Sequence, residues 1–130
     1  MNRKNILAYK NDIIYVGCKG SIKLIKFIDI NNAFLIKNIS IGHVSYINIY
    51  RENFLFCAIY KNITQYNFEN KLIYFEIKKN EKDVIPVLEK KQPRLNGSII
   101  NIIFCYDNHR EYIITLGTDN KIIISYENIR

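Results

Sequence analysis

The sequence predicts an all-β protein made of short antiparallel strands, and three observations support this prediction. The apolar runs are rich in isoleucine, tyrosine, phenylalanine and valine, which are β-branched or aromatic and suit a pleated, half-buried surface. Apolar and charged residues alternate in SIKLIKF (21–27), as they do in a strand with one buried face. Turn-forming residues such as KGS, TDN and DNH separate the runs. Helical spacing is weak everywhere except in DVIPVLEKK, where Pro86 interrupts it.

A repeated sequence pattern, which we call the phrase, predicts the central strands of each unit. It occurs three times, as IIYVGCKGSIKLI (13–25), FLFCAIYKNITQY (54–66) and IITLGTDNKIIIS (113–125). Each copy has four mostly apolar residues, a small residue (Gly17, Ala58 or Gly117), four turn-like residues and a second apolar run. FLFCA is apolar at every position, which indicates an inner strand covered on both faces. The copies start 41 and 59 residues apart, and removing most of a polar stretch, 78–97, restores a period near forty.

The remaining strands follow from the apolar runs on either side of each copy. The predicted strands are 5–9, 12–18, 22–29 and 34–40 in a first unit (about 1–40); 44–50, 54–60, 63–69 and 72–77 in a second unit (41–77); and 98–106, 111–117 and 121–127 in a third unit (96–130). We interpret 78–97 as a polar insertion between the second and third units. Short strands at this spacing indicate a sandwich, a barrel or a propeller, and a period of about forty residues, with four strands in each of the first two units, favours propeller blades.

Length and composition limit the class of protein. The 130 residues suit a single domain, and the 48% of hydrophobic residues exclude a disordered chain. The apolar stretches are shorter than the ~20 residues of a membrane-spanning helix, and the start of the chain lacks the apolar segment of a secretory signal. Cys18, Cys57 and Cys105 are odd in number and lack metal-ligand spacing, so we expect buried, reduced thiols. The expected location is intracellular, in the cytoplasm or nucleus, without membrane contact.

The formal charge of +7 raises the question of nucleic acid. Isoleucine, asparagine, lysine, tyrosine and phenylalanine are abundant together, as AT-rich codons would produce, and the 19 basic residues are mostly lysine. Arginine is the better reader of bases and phosphates. We therefore favour a protein partner, and contact with nucleic acid, through a partner complex, is the alternative. Tyr46, Tyr50, Tyr60 and Tyr66 could form a base-stacking platform, but we favour their interpretation as residues that fill sheet faces.

No group of residues predicts a catalytic, metal or cofactor site. His43 and His109 are far apart in the sequence and lack clustered carboxylates, so they do not suggest a metal centre. Cys57 and Cys105 lie in apolar runs, where a thiol behaves as a small hydrophobic group. The glycines are single residues at turns and strand ends rather than a phosphate-binding loop. The protein is therefore not expected to be an enzyme or to need a cofactor.

Gly42-His43 precedes VSYINIY, Gly97-Ser98 precedes IINIIF, and Asp119 lies in the turn of the third phrase. In these features the chain resembles the WD-repeat family of β-propellers. That family has Gly-His before the first strand of a unit, Asp in the turn after the second strand, and Trp-Asp at the end of the third. The resemblance implies about three four-stranded antiparallel blades of an incomplete ring.

The sequence also departs from the family pattern. Lys19 and Tyr60 take the position of the turn Asp in the first two units, and the Trp position falls on Ile25, Tyr66 and Ser125. His43 is in the second unit whereas Asp119 is in the third, so no unit has both. We therefore expect the units to be held together by hydrophobic packing rather than by the polar network of the family.

The resemblance implies a non-catalytic scaffold that mediates protein–protein interaction within a larger complex. An alternative comes from TLGTDNKIIIS, which resembles a strand of the WD-repeat subunit of a tRNA guanine-N7 methyltransferase; Thr118 and Ile123 replace arginines of that strand. This would make the protein an RNA-associated accessory subunit in tRNA processing. Three units are fewer than the four to eight blades of closed propellers. Because the chain stops at Arg130, after a third strand, we expect a fragment of a longer propeller or an open assembly that needs a protein partner.

Partner contacts are expected at basic residues in loops and turns. The segment 78–97 is longer than ordinary connections, and such segments are often functional. The candidate contact residues are Lys78, Lys79, Lys82, Lys90, Lys91 and Arg94 in this segment and Arg51, His109 and Arg110 in predicted turns.

Overall fold

A computed structural model of the chain describes residues 6–51, 53–62, 68–77, 84–92 and 97–126, with the backbone alone for 62, 68, 84–92 and 126. These parts of the chain form eleven strands. The strands are β1 (Leu7–Lys10), β2 (Ile13–Gly17), β3 (Ser21–Asp29), β4 (Asn32–Ser40), β5 (His43–Tyr50), β6 (Phe54–Asn62), β7 (Phe68–Ile77), β8 (Val84–Gln92), β9 (Ile99–Asp107), β10 (Arg110–Gly117) and β11 (Ile122–Tyr126). Within the described ranges there is no helix long and apolar enough to cross a membrane.

The strands form three separate antiparallel sheets, each a simple meander in which consecutive strands pair. Sheet 1 has the order β1-β2-β3-β4, sheet 2 the order β5-β6-β7-β8, and sheet 3 the order β9-β10-β11. The prediction of an all-β chain of short antiparallel strands is confirmed. The predicted strands of the first and third units also agree with sheets 1 and 3 to within a few residues.

The second unit was predicted less well. β6 continues through Asn62, so the turn predicted at 59–62 is absent, and β7 contains the end of the strand predicted at 63–69, all of the strand predicted at 72–77 and the residues between them. Residues 63–67 lie outside the described part of the chain. The error has a physical reason: Ile59 and Tyr60 are strand formers, and pairing with β7 outweighs the weak turn preference of the Lys61-Asn62 pair.

The segment interpreted as an insertion contains the fourth strand of sheet 2. Residues 84–92 form β8, which pairs with β7 along its whole length, so the prediction of a loop is wrong for this part. Pro86 pairs with Phe75 next to an irregularity in the ladder. Because β8 is the edge strand of sheet 2, a residue without an N–H is tolerated there. Residues 78–83 and 93–96 lie outside the described ranges.

The three sheets are stacked, with sheet 2 in the middle, and each contact between sheets has its own core. The core between sheets 1 and 2, the first joint, includes Ala8, Ile13, Tyr15, Ile22, Leu24, Val44, Ile47, Leu55, Cys57, Ile73, Phe75 and Ile77. The core between sheets 2 and 3, the second joint, includes Tyr46, Tyr50, Phe56, Ala58, Leu72, Tyr74, Ile99, Ile102 and Ile113. The first strands β1, β5 and β9 contact one another in this order.

Strand β6 shows why its sequence is apolar at every position. Leu55 and Cys57 contribute to the first joint, whereas Phe56 and Ala58 contribute to the second. All four side chains have no solvent exposure. The middle sheet therefore has apolar residues on both faces, as FLFCA predicts.

The register of the sheets corrects the alignment of the repeated phrase. In sheet 2 the ladder between β5 and β6 shifts between Val44 and Tyr46, and Tyr46 then pairs with Ala58. In sheet 3 the corresponding shift separates Gly117 from Leu116, and Leu116 pairs with Asn101. Leu116, rather than Gly117, is thus the structural counterpart of Ala58. The third copy of the phrase is displaced by one residue, which a match of small residues in the sequence could not reveal.

Candidate interaction surfaces

The hairpins that join the first two strands of each sheet lie at one end of the stack. The N–H of Val44, at the start of β5, donates to the carbonyl of Cys18, just after β2, over 3.0 Å. The side chain of Asn70, at the start of β7, donates to the carbonyl of Gly97, just before β9, over 2.7 Å. These contacts place the starts of β5 and β9 at the end of the stack opposite the hairpins, which we call the link end. The hairpin turns that contain residues 11–12, Arg51 and residues 108–109 therefore share the other end, the hairpin face.

Several turn residues of the hairpin face have left-handed backbone conformations. Asn11 and Asp12 have φ values of 52° and 65°, and Asn108 and His109 have 48° and 66°. Two consecutive positive φ values characterise the two-residue hairpin turn whose twist matches that of paired strands. Asparagine, aspartate and histidine tolerate this conformation better than most residues, which explains why Asn-Asp and Asn-His occur at these positions.

A polar cluster joins sheets 2 and 3 at the hairpin face. The carboxylate of Glu111, which is only 6% exposed, accepts hydrogen bonds from the Tyr50 hydroxyl and from the Arg51 guanidinium. The same guanidinium donates to the hydroxyl of Tyr106 and lies 5.2 Å from the centre of the Tyr50 ring. The Tyr50 ring in turn stacks on Phe104 at 4.2 Å. We call Tyr50, Arg51, Tyr106 and Glu111 the Glu111 cluster.

The electrostatics of this cluster follow from burial. Removal from water and the adjacent Glu111 carboxylate both raise the pKa of Tyr50, with burial as the larger cause. Tyr50 therefore acts as a hydrogen-bond donor. The ion pair between Arg51 and Glu111 compensates the charge of a carboxylate that would be costly to bury alone. The arrangement fixes Arg51 in position at the surface, with its side chain 40% exposed.

The link end carries the residues that suggested a WD repeat. In sheet 2, His43 pairs with Tyr60 across the ladder; the His43 Nε2 atom and the Tyr60 hydroxyl are 3.4 Å apart, and the two ring centres are separated by 4.3 Å. Tyr60 is the residue aligned with the missing turn Asp. A tyrosine hydroxyl therefore makes a polar contact within sheet 2, while the contacts between sheets are hydrophobic cores, as expected.

In sheet 3 a polar link is made by Thr118, the residue before Asp119. The Thr118 hydroxyl accepts the Ser98 N–H at 3.2 Å, and the Thr118 N–H donates to the Ser98 carbonyl at 2.9 Å. Asp119 accepts the N–H of Lys121 at 3.1 Å and so stabilises its own turn. Gly97 has a φ of 128°, and a Cβ atom at this position would clash with the Thr118 hydroxyl. A glycine before Ser98 is thus required by the backbone, whatever the function.

The outer faces of sheets 1 and 3 are apolar although no other sheet covers them in the described structure. We call the outer face of sheet 1 the upstream face and that of sheet 3 the downstream face. The upstream face carries Leu7, Tyr9, Ile14, Val16 and Ile25, which share a face through the register of β1, β2 and β3, and Lys23, opposite Val16, is a charged residue on the same face. The downstream face carries Ile103, Ile114, Leu116, Ile122 and Ile124, which share a face through the register of β9, β10 and β11. A shallow pocket lies on the downstream face and is lined by Ile102, Ile103, Ile114, Leu116, Ile122 and the polar residue Asn101.

The cysteines and tyrosines partly follow the predictions. All three cysteines are free, and burial raises the pKa of the fully buried Cys57 thiol. Cys105 was expected to be buried but is exposed, because its side of sheet 3 has no covering sheet. Tyr46 and Tyr50 are 3% and 6% exposed, so the interpretation of these tyrosines as sheet filling is confirmed for them. In the described part of the chain no three His, Cys, Asp or Glu side chains form a group that could hold a metal ion.

Three of the predicted partner contacts come together. Arg51, His109 and Arg110 all lie on the hairpin face and are exposed, and Arg51 belongs to the Glu111 cluster. Lys90 and Lys91 lie on β8, where they pair with Leu72 and Lys71, and their side chains are outside the described structure. Lys78, Lys79, Lys82 and Arg94 are outside the described ranges altogether.

Sequence reasoning missed Glu111, although a signal was present. Glu111, Ile113 and Thr115 alternate along β10 and face the second joint, so an acid occurs at a position where the pattern requires a buried residue. A buried acid needs a partner, and a basic residue in a neighbouring hairpin turn is the natural candidate. The comparisons with known proteins add no assignment: no protein-family model matches the chain, and no significant similarity to a curated protein or a solved structure is found.

Proposed function

We propose that the three sheets are consecutive blades of a WD-repeat-like β-propeller and that the protein is a non-catalytic scaffold that holds other proteins together in a larger complex. The observation that carries the proposal is the repeated manner of stacking. Sheet 1 packs on sheet 2 through the same strand positions that sheet 2 uses to pack on sheet 3: Tyr15 of β2 corresponds to Phe56 of β6, and Leu24 of β3 corresponds to Tyr74 of β7.

The order of the strands from inside to outside supports the same proposal. The first strands of the sheets contact one another, while β4 is largely exposed. Propeller blades are arranged in this way, with four-stranded sheets around a central channel. The polar links His43–Tyr60 and Ser98–Thr118 occupy the positions where the WD-repeat family places its structural hydrogen bonds.

The surface that we propose for partner binding is the hairpin face. Tyr106 is 65% exposed and is hydrogen-bonded to Arg51, whose guanidinium is held by Glu111. Tyrosine and arginine are enriched at protein–protein interfaces, and side chains that are already ordered lose less entropy on binding. His109 and Arg110 extend this surface on the neighbouring hairpin.

The test is affinity purification of the tagged chain from its native cells, followed by cross-linking and mass spectrometry. The variant is R110E on the hairpin face, and the matched control is K19E, which reverses an exposed charge in the β2–β3 turn at the link end. We expect one stoichiometric protein partner, cross-linked to the hairpin face, that is lost with R110E and retained with K19E.

Two results would contradict the proposal. Equal recovery of every protein by R110E and K19E would show that the hairpin face is not the binding surface. Recovery that is abolished by nuclease and falls steeply with salt would instead support the RNA-associated accessory subunit, because phosphate contacts release counterions.

A further inference from the structure

The upstream and downstream faces are two large, mostly apolar surfaces on the two outer sheets of the stack. On the downstream face Ile122 and Ile124 are each 65% exposed and Ile103 is 53% exposed, and on the upstream face Leu7 is 59% exposed. Scattered apolar residues on a surface need no explanation, but a contiguous apolar sheet face indicates a surface that is covered by another molecule.

The register shows what kind of surface each face is. Ile114 and Leu116 of the downstream face occupy the positions of Phe56 and Ala58, which pack on the following sheet in the second joint. On β11, Ile122 and Ile124 likewise correspond to Leu72 and Tyr74 of β7. The downstream face is therefore the half of a joint that receives a following sheet.

The upstream face is the other half of the same joint. Ile14 and Val16 of β2 occupy the positions of Leu55 and Cys57, which pack on the preceding sheet in the first joint. Ile25 of β3 corresponds to Phe75 of β7 in the same way. One chain therefore carries both halves of a joint that it already makes twice internally.

We propose that a second copy of this chain covers the upstream and downstream faces. The downstream face of the second copy stacks on the upstream face of the first, and the downstream face of the first copy stacks on the upstream face of the second. A second copy supplies both complementary surfaces at once and continues the stacking geometry of the two internal joints. A contact between two different faces closes into a ring when the rotation permits, and two copies of three sheets lie within the about four to eight blades of closed propellers. Self-association involves the upstream and downstream faces and not the hairpin face, so it can fail independently of the proposed partner binding.

The experiment is light scattering after size-exclusion chromatography on the purified chain, with two variants and a control. L7E places a charge on the upstream face and I124E places one on the downstream face. I30E makes the same type of change at an isoleucine that is 90% exposed in the β3–β4 turn, outside both faces. Because Leu7 and Ile124 are exposed in the single chain, these substitutions should leave its fold intact, which circular dichroism checks.

The expected mass of the wild type and of I30E is twice the 15.4 kDa of one chain. L7E alone and I124E alone should each be monomeric, with a dissociation constant raised by at least about 100-fold, because a charge must be buried without a partner. An equimolar mixture of L7E and I124E should form a one-to-one dimer, since one intact downstream face meets one intact upstream face. R110E should remain dimeric.

The proposal is overturned by a monomeric wild type, by a dimer that persists in either L7E or I124E alone, or by a mixture of the two that stays monomeric. Persistence in one variant would mean that like faces associate. Continuous growth into polymers would overturn the closed ring of two copies.

Discussion

Neutralising Glu111 should weaken the joint between sheets 2 and 3 by an amount that the structure allows to be estimated. In E111Q the side chain keeps its shape but loses its charge, and its amide oxygen can accept from only one of Tyr50 and Arg51, because the amide NH2 group that replaces the other carboxylate oxygen is a donor. Hydrogen bonds to charged groups contribute about 1.5–3 kcal/mol each when buried. The Arg51 bond counts for less, about 1 kcal/mol, because this side chain is 40% exposed. We therefore expect E111Q to lower the free energy of unfolding by about 2–3 kcal/mol.

The assay is urea unfolding followed by circular dichroism, with Y50F, E111Q and the double variant forming a thermodynamic cycle. We expect a coupling energy of at least about 1 kcal/mol between the two sites, since one hydroxyl and one carboxylate share a buried bond. Y9F is the matched control, because the Tyr9 hydroxyl donates to Asp12 at 3.1 Å in an exposed turn. That control should change stability by less than about 0.5 kcal/mol. Additivity of Y50F and E111Q would refute the reasoning, since it would mean that the two side chains do not interact in solution.

Three further perturbations address other features of the fold. G97A should destabilise the chain by at least about 2 kcal/mol in the same unfolding assay, because the backbone there has a positive φ and the new Cβ would clash with Thr118. The control G20A should be close to neutral, since no atom lies within 4 Å of the added Cβ. Equal effects of the two substitutions would contradict the account of the Ser98–Thr118 link. H109G should raise the free energy of unfolding by about 0.5–1 kcal/mol, because His109 has a φ of 66° in a two-residue hairpin turn that favours glycine. A loss of stability would contradict the assignment of this turn type. Burial raises the pKa of the Cys57 thiol in the folded chain, so the stability that the neutral thiol contributes is fully present below about pH 8.5, the pKa of the unfolded thiol, and is lost as the pH rises further. The decrease in melting temperature between pH 7.5 and 9.5 should therefore be smaller in C57A than in the wild type. An identical decrease in both proteins would exclude this linkage.

The strands that sequence reasoning predicted well are those whose local signals agree. In sheets 1 and 3 the apolar runs end at turns with strong chemistry, such as Asn11-Asp12 and Asn108-His109, and both turns have positive φ values. Local preference and tertiary pairing then give the same boundaries. In sheet 2 they differ: β6 continues through the Lys61-Asn62 pair because its partner β7 offers a full ladder.

Strand β8 was missed because edge strands do not look like inner strands. VIPVLEKKQ contains a proline and several charges, which argue against a central strand but are common protections of a sheet edge. Nothing in the sequence alone states that an edge is needed at this point of the chain. The requirement for an edge strand becomes apparent only when β7 is paired with β6 on one side and lacks a partner on the other side.

The candidate surfaces were predicted only in part for a related reason. Arg51, His109 and Arg110 could be placed in turns from the sequence, but their location on one face depends on the way the sheets stack. To predict that Glu111 is buried, one must know which side of β10 faces the second joint. The one-residue displacement of the third phrase, with Leu116 in the place of Ala58, reverses that side and hides the buried acid.

The middle position of sheet 2 has a consequence for the order in which the chain folds. Its two faces are completed by different neighbours, so Leu55 and Phe56, adjacent in sequence, gain their burial from separate docking events. Stability in such an array is close to a sum of contacts between nearest neighbours, and folding can propagate from one unit to the next. Sheets 1 and 3 can detach without disturbing each other's joint, whereas opening sheet 2 disrupts both. In the single chain, as in the monomeric variant L7E, amide protons of β6 should therefore exchange only on global unfolding, and those of the outer sheets in local events of lower free energy.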